Sequence, residues 1–433
     1  MPDDTGSSAL LDKLGGRDIF LWGAGRWGRV ICLRLEKCGL SVSGFLDSNA
    51  DNMSPAVLGR PLARPEPFLT RFAQKPAGDQ GPVLVVTPHF FRDSMLPQAE
   101  AAGFVRGRDL FTAEDFSPNH YIVEVSGVCN LKCLACPRGR QTPEARRGGF
   151  MSLEYFRQVV DKIKREDPLA AGLQLYQWGE PLLNPDLPHM IEAARTEGLS
   201  VSVSSNLNAE ADLERVVEAG PDWFRVSVSG TGADYGRTHA GGDWARVLAN
   251  MERLAQSRDH FSSRMRIEVY YHVYAHNQGG QLAEVREICR KFGFEFQPVQ
   301  AYLIGLEEVL GQLEGRPLPP EAQAAADLLN VTTDQALTEA RLDADLPCQA
   351  ENVIMVDWDL SAPVCLMYYG QKRHSLSDNF LSTPLEEIKA RRAASPFCAR
   401  CRGRAMHRYC DVYYNWPTKD FLPECGQHAV NRR

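Results

Sequence analysis

The sequence predicts an α/β fold: a partial (β/α)6 barrel, with an N-terminal Rossmann-like parallel-sheet domain before it and an irregular Cys-rich C-terminal domain after it. Three observations predict it. Short apolar runs alternate with stretches of helical spacing from about residue 121 to 302, in six β-α-like units. Near the start, a glycine-rich turn, Gly23-Ala24-Gly25-Arg26-Trp27-Gly28, separates a strand-like run from a helix-like one. Of the 12 cysteines, six fall in the last 86 residues and three more lie between Cys129 and Cys136. The expected domains are 1–116, 117–303 and 304–433.

The first block opens with Asp18–Trp22 as a buried strand, the glycine turn, a helix over Val30–Lys37, and further strands at Ser41–Asp47 and Pro82–Thr87. This β-α-β order calls for a parallel sheet. Pro61–Pro67, rich in proline, reads as a connecting loop. Asp47 ends the second strand 19 residues after Gly28, the setting of a dinucleotide fingerprint. A Rossmann-like domain with an anion-friendly helix N-terminus and a nucleotide-sugar site compete evenly here.

The second block has strand candidates at Tyr121–Val125, Leu173–Gln177, Ser200–Ser204, Trp223–Val228, Arg266–His272 and Phe294–Val299. Helix candidates between them are Ser152–Lys164, Leu187–Gly198, Ala211–Ala219, Asp243–Ser257 and Gln281–Phe292. Short strands with helical crossovers favour parallel pairing with helices outside, and six units make an open barrel with its site at the strand C-termini. The third block begins with a helical stretch, Pro320–Leu342, and turns irregular from Cys348 to Cys425. Such a segment leans on metal for stability.

The bulk numbers narrow the chemistry. At about 100–200 residues per domain, 433 residues make two to four domains. An apolar fraction of 44% and a charged fraction of 24% are those of a soluble globular protein. A net charge of −7 calls for neither nucleic acid nor an acidic membrane. The basic run Arg391, Arg392, Arg400, Arg402, Arg404 and Arg408 reads as a solvated face or as the surroundings of a metal group. No secretory signal opens the chain, and no stretch approaches the roughly 18 apolar residues of a membrane span. The expected location is therefore cytoplasmic, where thiols stay reduced and read as metal ligands before disulfides. Cys32, Cys38 and Cys289 read as small buried hydrophobes.

The first strand of the second block runs into Cys129-Asn-Leu-Lys-Cys133-Leu-Ala-Cys136-Pro137. Three thiolates on one loop can hold three corners of a cubane iron–sulfur cluster. The fourth corner then stays open, as in a site that binds substrate. A zinc site lacking one ligand, or three unrelated cysteines, are the bland readings. Strand two ends in Trp178-Gly179-Glu180-Pro181, strand three in Ser204-Ser205-Asn206, and strand four in Ser227-Val228-Ser229-Gly230. A glutamate can accept from an ammonium while glycine lets backbone approach closely. The bland reading for the small polar residues is local turns and caps.

With these residues in place the chain resembles the radical S-adenosylmethionine (SAM) superfamily. The resemblance implies a [4Fe-4S] cluster on Cys129, Cys133 and Cys136, whose free iron is chelated by the amino and carboxylate groups of SAM. Reductive cleavage then yields a 5′-deoxyadenosyl radical. Ala135 departs from the aromatic residue usual before the last cysteine. By the same resemblance Gly179, Glu180 and Pro181 bind the methionyl amino group. Ser204, Asn206, Ser227 and Ser229 supply ribose and carboxylate contacts.

Cys348, Cys365, Cys398 and Cys401 resemble the SPASM/twitch extension. That implies one auxiliary [4Fe-4S] cluster, with two as the alternative. Cys398, Cys401, Cys410 and Cys425 form an alternative ligand set, and a zinc ribbon stays open.

The implied function is hydrogen abstraction leading to oxidation or epimerisation of a sugar, aminocyclitol or nucleotide-linked small molecule. The implied partners are a small-molecule substrate and an electron donor such as flavodoxin or ferredoxin, with no nucleic acid and no membrane. A peptide-modifying maturase is the runner-up. A non-catalytic metal-stabilised nucleotide-binding module and a dehydrogenase resting on Gly23–Asp47 are the competing classes. Tyr176, His239, Tyr270, His272 and Gln297 are candidates to face the barrel interior.

Overall fold

The computed structural model describes residues 13–74, 81–87, 92–112, 115, 119–142, 148–168, 170–348, 350–369 and 373–415. The chain divides into two compact units. One comprises residues 1–120, 160–172 and 196–200. The other takes in 121–159, 173–195 and 201–433, the C-terminal cysteines included.

The first unit holds a sheet of β1 (Ile19–Trp22), β2 (Val42–Leu46), β3 (Ala56–Val57), β4 (Arg60–Ala63), β5 (Val83–Val86) and β6 (Leu110–Thr112), in the order β3-β4-β2-β1-β5-β6. Every pair is parallel except β3–β4. Val83–Val86 is buried on both faces, as parallel strands covered on two sides must be. The segment expected as a loop at Pro61–Pro67 instead forms β4 and the start of a helix, Pro65–Ala73. The prolines sit where they are tolerated. Leu62 rather than Pro61 donates to Pro55 (2.9 Å), and Pro65 occupies the first helical turn, where its missing N–H costs nothing. At the glycine turn, a Cβ on Gly28 would lie 1.8 Å from the Gly23 carbonyl oxygen, so only glycine fits. The Asp47 carboxylate accepts from the Ala24 N–H (2.8 Å) and the Asn49 N–H (2.9 Å), and thereby holds the turn.

The main sheet runs β12-β11-β10-β9-β8-β7-β13. Its strands are β7 (His120–Val123), β8 (Gly172–Gln174), β9 (Ser200–Ser205), β10 (Trp223–Val228), β11 (Arg266–Val273), β12 (Glu295–Gln300) and β13 (Val353–Val356). β7–β8, β9–β10, β10–β11 and β11–β12 pair in parallel, the arrangement of a partial, unclosed barrel. Strict alternation on β10 shows how the sheet sorts its faces. Phe224, Val226 and Val228 are fully buried, while Trp223, Arg225 and Ser227 are half-buried on the other face. Helices Leu153–Glu166, Leu187–Thr196, Leu213–Ala219, Trp244–His260 and Gly280–Phe292 connect the strands. Their ends follow local chemistry: the Asp212 and Asp243 side chains cap two N-termini, and Gly220 and Gly293 close two C-termini at positive φ.

Two further features depart from the sequence expectation. Pro320–Leu342 is two helices, Pro320–Ala326 and Thr333–Leu342, because Thr332 stops in extended backbone and forms a capping box with Gln335. β13, from the cysteine-rich block, adds a seventh strand beside β7, with the Glu124 N–H donating to the Val356 carbonyl (2.8 Å). A short antiparallel pair, β14 (Ala362–Pro363) and β15 (Ser375–Ser377), and helices Leu385–Ala393, Pro396–Gly403 and Tyr409–Asn415 follow. Cys425 lies outside the described residues. Among the described residues no helix is long and apolar enough to cross a membrane.

Candidate active site

One cavity in the second unit collects the chemistry. Cys129, Cys133, Ala135 and Cys136 form one wall. The strand C-termini form the other, with Tyr176–Glu180 after β8, Ser204–Asn206 on β9, Ser227 and Ser229 on and after β10, and His272 on β11. The cysteine loop is set by backbone bonds. Lys132 donates to Ala240 (2.9 Å), Leu134 to Thr238 (3.1 Å), and Cys136 to Cys133 (3.2 Å). The Arg140 guanidinium donates to the Leu134 (2.9 Å) and Ala135 (2.7 Å) carbonyls and pairs with Glu308. Burial pushes the Cys129 thiol up to about 12 and raises Cys136, while backbone N–H groups of Gly139 and Arg138 pull Cys136 back. A bound metal takes the place of those thiol protons. Among the described residues no three His, Cys, Asp or Glu side chains converge as ligands of a single ion; these three thiols line one cavity.

The turn after β8 approaches backbone closely. A Cβ on Gly179 would stand 1.7 Å from the Ser126 carbonyl oxygen, and Glu180 donates its N–H to Val128 (2.8 Å). Glu180 is 2% exposed. Its Oε1 accepts from the Leu182 N–H (3.1 Å) and its Oε2 from the Asn206 N–H (2.9 Å), and the Ser205 hydroxyl also donates to it. Burial outweighs these donors and lifts the carboxyl to about 7. Asn206 Nδ2 donates to Asn130 Oδ1 (3.0 Å), joining the β9 end to the cysteine loop.

Of the sequence-predicted residues, Gly179, Glu180, Ser204, Asn206, Ser227 and Ser229 line this cavity with the three thiols. Pro181 does not; it is buried at the start of a short 3-10 turn. Tyr176, His239 and His272 line it, but Tyr270 and Gln297 do not. Tyr270 lies under the Arg225 guanidinium (4.2 Å), and Gln297 is exposed. Thr238, Tyr274, Tyr302 and Ile304 also line the cavity, and sequence reasoning missed them. Tyr274 directly follows β11, so the rule that sites sit at strand ends was the available signal. Burial, then the neighbouring His272, lowers His239 to about 3; burial, then Arg225, lowers His272 to about 4. Both imidazoles are neutral at pH 7.

The C-terminal cysteines form a second group. Cys401 lies within electrostatic reach of Cys365, Cys348 and Cys398, and Cys410 of Cys365, Cys401 and Cys348. Burial raises the thiols of Cys348, Cys365, Cys401 and Cys410, that of Cys365 to about 12. Arg392, expected in a basic run on the surface or beside a metal group, is 6% exposed. It donates to the Val364 (3.1 Å) and Glu351 (2.9 Å) carbonyls, with its charge beside Cys365, Cys398 and Cys348. None of the eleven described cysteines is in a disulfide, and Cys32 and Cys289 are buried.

Residues 123–265 match the family model of the radical SAM superfamily. A probable GTP 3′,8-cyclase of Methanococcus maripaludis is 25% identical over 216 residues, 49% of this chain and 68% of the relative. A probable GTP 3′,8-cyclase of Methanococcus vannielii is 26% identical over 190 residues, 42% of this chain and 60% of the relative. Among solved structures, BtrN in complex with AdoMet and 2-DOIA has a TM-score of 0.41 at 15% identity, over 69% of this chain and 92% of that one. Streptococcus suis SuiB bound to precursor peptide SuiA has a TM-score of 0.44 at 12% identity, over 72% and 79%. The segment that carries the three-cysteine loop and four of the strand ends around it is thus a radical SAM domain, of the superfamily whose chemistry uses a [4Fe-4S] cluster and S-adenosylmethionine.

Proposed function

We propose that the chain abstracts hydrogen from a hydroxyl-bearing small molecule, a sugar, aminocyclitol or nucleotide-linked compound, leading to its oxidation or epimerisation. One observation carries this reading. Beside the three thiols the cavity is lined by neutral hydrogen-bonding groups: Ser227, Ser229, Thr238, His239, His272 and Tyr274. The relatives named as GTP 3′,8-cyclases favour the nucleotide-linked members of that class.

In this reading Cys129, Cys133 and Cys136 hold the radical-generating cluster. When bound, cluster and SAM supply the 5′-deoxyadenosyl radical. Gly179, Glu180 and Pro181 take the methionyl end, and Ser204, Asn206, Ser227 and Ser229 the remaining polar groups. A carboxylate has about four lone-pair sites, so Glu180 keeps one for the ammonium after its three protein donors.

The neutral imidazoles orient substrate hydroxyls. The Thr238 hydroxyl donates to the Ser229 carbonyl (3.1 Å), so His239 Nδ1, 3.2 Å away, is the donor to Thr238. That tautomer leaves Nε2 as an acceptor. Cys348, Cys365, Cys398 and Cys401 hold an auxiliary [4Fe-4S] cluster of the SPASM/twitch kind, with Arg392 offsetting thiolate charge. Such a cluster supplies the one-electron acceptor that oxidation, unlike epimerisation, requires. Residues 1–116 form a Rossmann-like nucleotide-binding or docking domain. A flavodoxin or ferredoxin is the electron donor, and the setting is the cytoplasm.

The test is 5′-deoxyadenosine release by anaerobically reconstituted protein offered sugars, aminocyclitols, nucleotides and peptides. Coupling to one of the first three supports the reading, and coupling to a peptide alone overturns it.

A further inference from the structure

The turn that lines the cavity after β8 is braced from two sides by residues outside the cavity lining. Below it lies Glu124, just past the end of β7 and 1% exposed. Its Oε2 accepts from the Trp178 N–H and the Gly179 N–H (3.2 Å), and Gln177 adds a further backbone bond. A buried carboxylate collecting successive backbone N–H groups fixes the path of that backbone. Beside it stands the segment that follows Cys365. Gln177 Nε2 donates to the Leu366 carbonyl (2.6 Å), and the Trp178 ring meets Tyr369 edge-on, with centroids 5.3 Å apart. The Tyr369 hydroxyl accepts from Arg138 Nη1 (2.9 Å) and lies 3.3 Å from Gln141 Oε1. Arg138 is 4% exposed, two residues after Cys136, and its charge acts on the Glu124 carboxyl. Trp178 and Tyr369 share one apolar cluster with Ile122 and Met355.

We propose that Glu124, Arg138 and Tyr369 form a strut that sets the turn 177–181, so that the C-terminal segment after Cys365 tunes affinity for SAM at a site it does not touch. The inference rests on the reading of Gly179 and Glu180 as the methionyl site. These are positioning residues: Glu124 acts through the backbone of Gly179, and Tyr369 through Trp178 and Arg138. The C-terminal segment and the SAM turn are then energetically linked, and a change at one shifts binding at the other.

Equilibrium dialysis of SAM against the reconstituted full chain tests this, with iron content as the check on folding. Tyr369→Phe removes one hydrogen bond to a charged group and should weaken SAM binding roughly three- to tenfold at unchanged iron. Glu124→Gln keeps an acceptor for the two N–H groups and should stay within about twofold of wild type, whereas Glu124→Leu should not. A merely structural Glu124 would not discriminate in that way once both variants hold full iron. Glu180→Gln reports on the underlying reading. If it weakens binding and Tyr369→Phe does not, the strut is overturned and the SAM site stands. If neither variant changes affinity, both readings fall.

Discussion

The two cysteine groups of the second unit differ in what surrounds their sulfurs. Cys129, Cys133 and Cys136 line a cavity, while backbone N–H groups reach sulfurs of both groups, Cys129 and Cys136 in one and Cys348 and Cys365 in the other. The C-terminal thiols face one another, and the buried Arg392 places its charge beside three of them. Neighbouring thiolates oppose each other's ionisation, so the second group resists being empty and charged. The first group rides on a loop between β7 and the next helix, held by the Lys132, Leu134 and Cys136 backbone bonds. In the proposed reading the contrast is that of an open site, which exchanges a ligand, and a closed one, which is filled.

The sharpest way to break the comparison is to empty the open site. Changing Cys129, Cys133 and Cys136 together to alanine should abolish 5′-deoxyadenosine formation and remove about four irons per chain, leaving about four on the C-terminal group. Equal iron in variant and wild type would show that the triplet holds no cluster. Cys365→Ser should instead remove about four irons from the closed site and lower the thermal midpoint, because irregular chain there depends on metal. A smaller contrast separates Cys398 from Cys410. Iron analysis of the single alanine variants should show loss for Cys398→Ala and retention for Cys410→Ala; the reverse would bring Cys410 into the ligand set.

The open site was legible because its signals are local. Cys129, Cys133 and Cys136 announce themselves by spacing, and Gly179-Glu180 and Ser204-Ser205-Asn206 by their place at successive strand ends. Period-two and helical spacing located the six parallel strands to within a few residues. What stayed hidden is non-local. Nothing near Val353–Val356 says that it pairs beside β7, and nothing in Glu124 reveals that its partners lie more than fifty residues away at Trp178 and Gly179. Arg392 read equally as a surface charge or as the surroundings of a metal group, because its carbonyl partners, Val364 and Glu351, are contributed by other segments. Pro61 and Pro65 misled for the opposite reason: proline marks loops on average, yet short edge pairing and a first helical turn both accept it.

The Glu124 carboxyl also responds to pH. Burial, only partly offset by the Trp178, Gly179 and Gln177 N–H groups and the Arg138 charge, lifts its carboxyl from 4.5 to about 7. The folded protein therefore holds the proton more tightly than the unfolded chain does. The stabilisation this gives is complete below about pH 4.5 and is lost as pH rises through about 7. Glu124→Gln has no proton to lose. Relative to wild type it should gain stability between pH 5 and 8, by on the order of 3 kcal/mol at most, since each tenfold difference in proton affinity between folded and unfolded chain corresponds to about 1.4 kcal/mol. Denaturant unfolding of both proteins at the two pH values measures the difference. A gain that is the same at pH 5 and pH 8 would mean that Glu124 is charged at both, with Arg138 rather than burial setting its state.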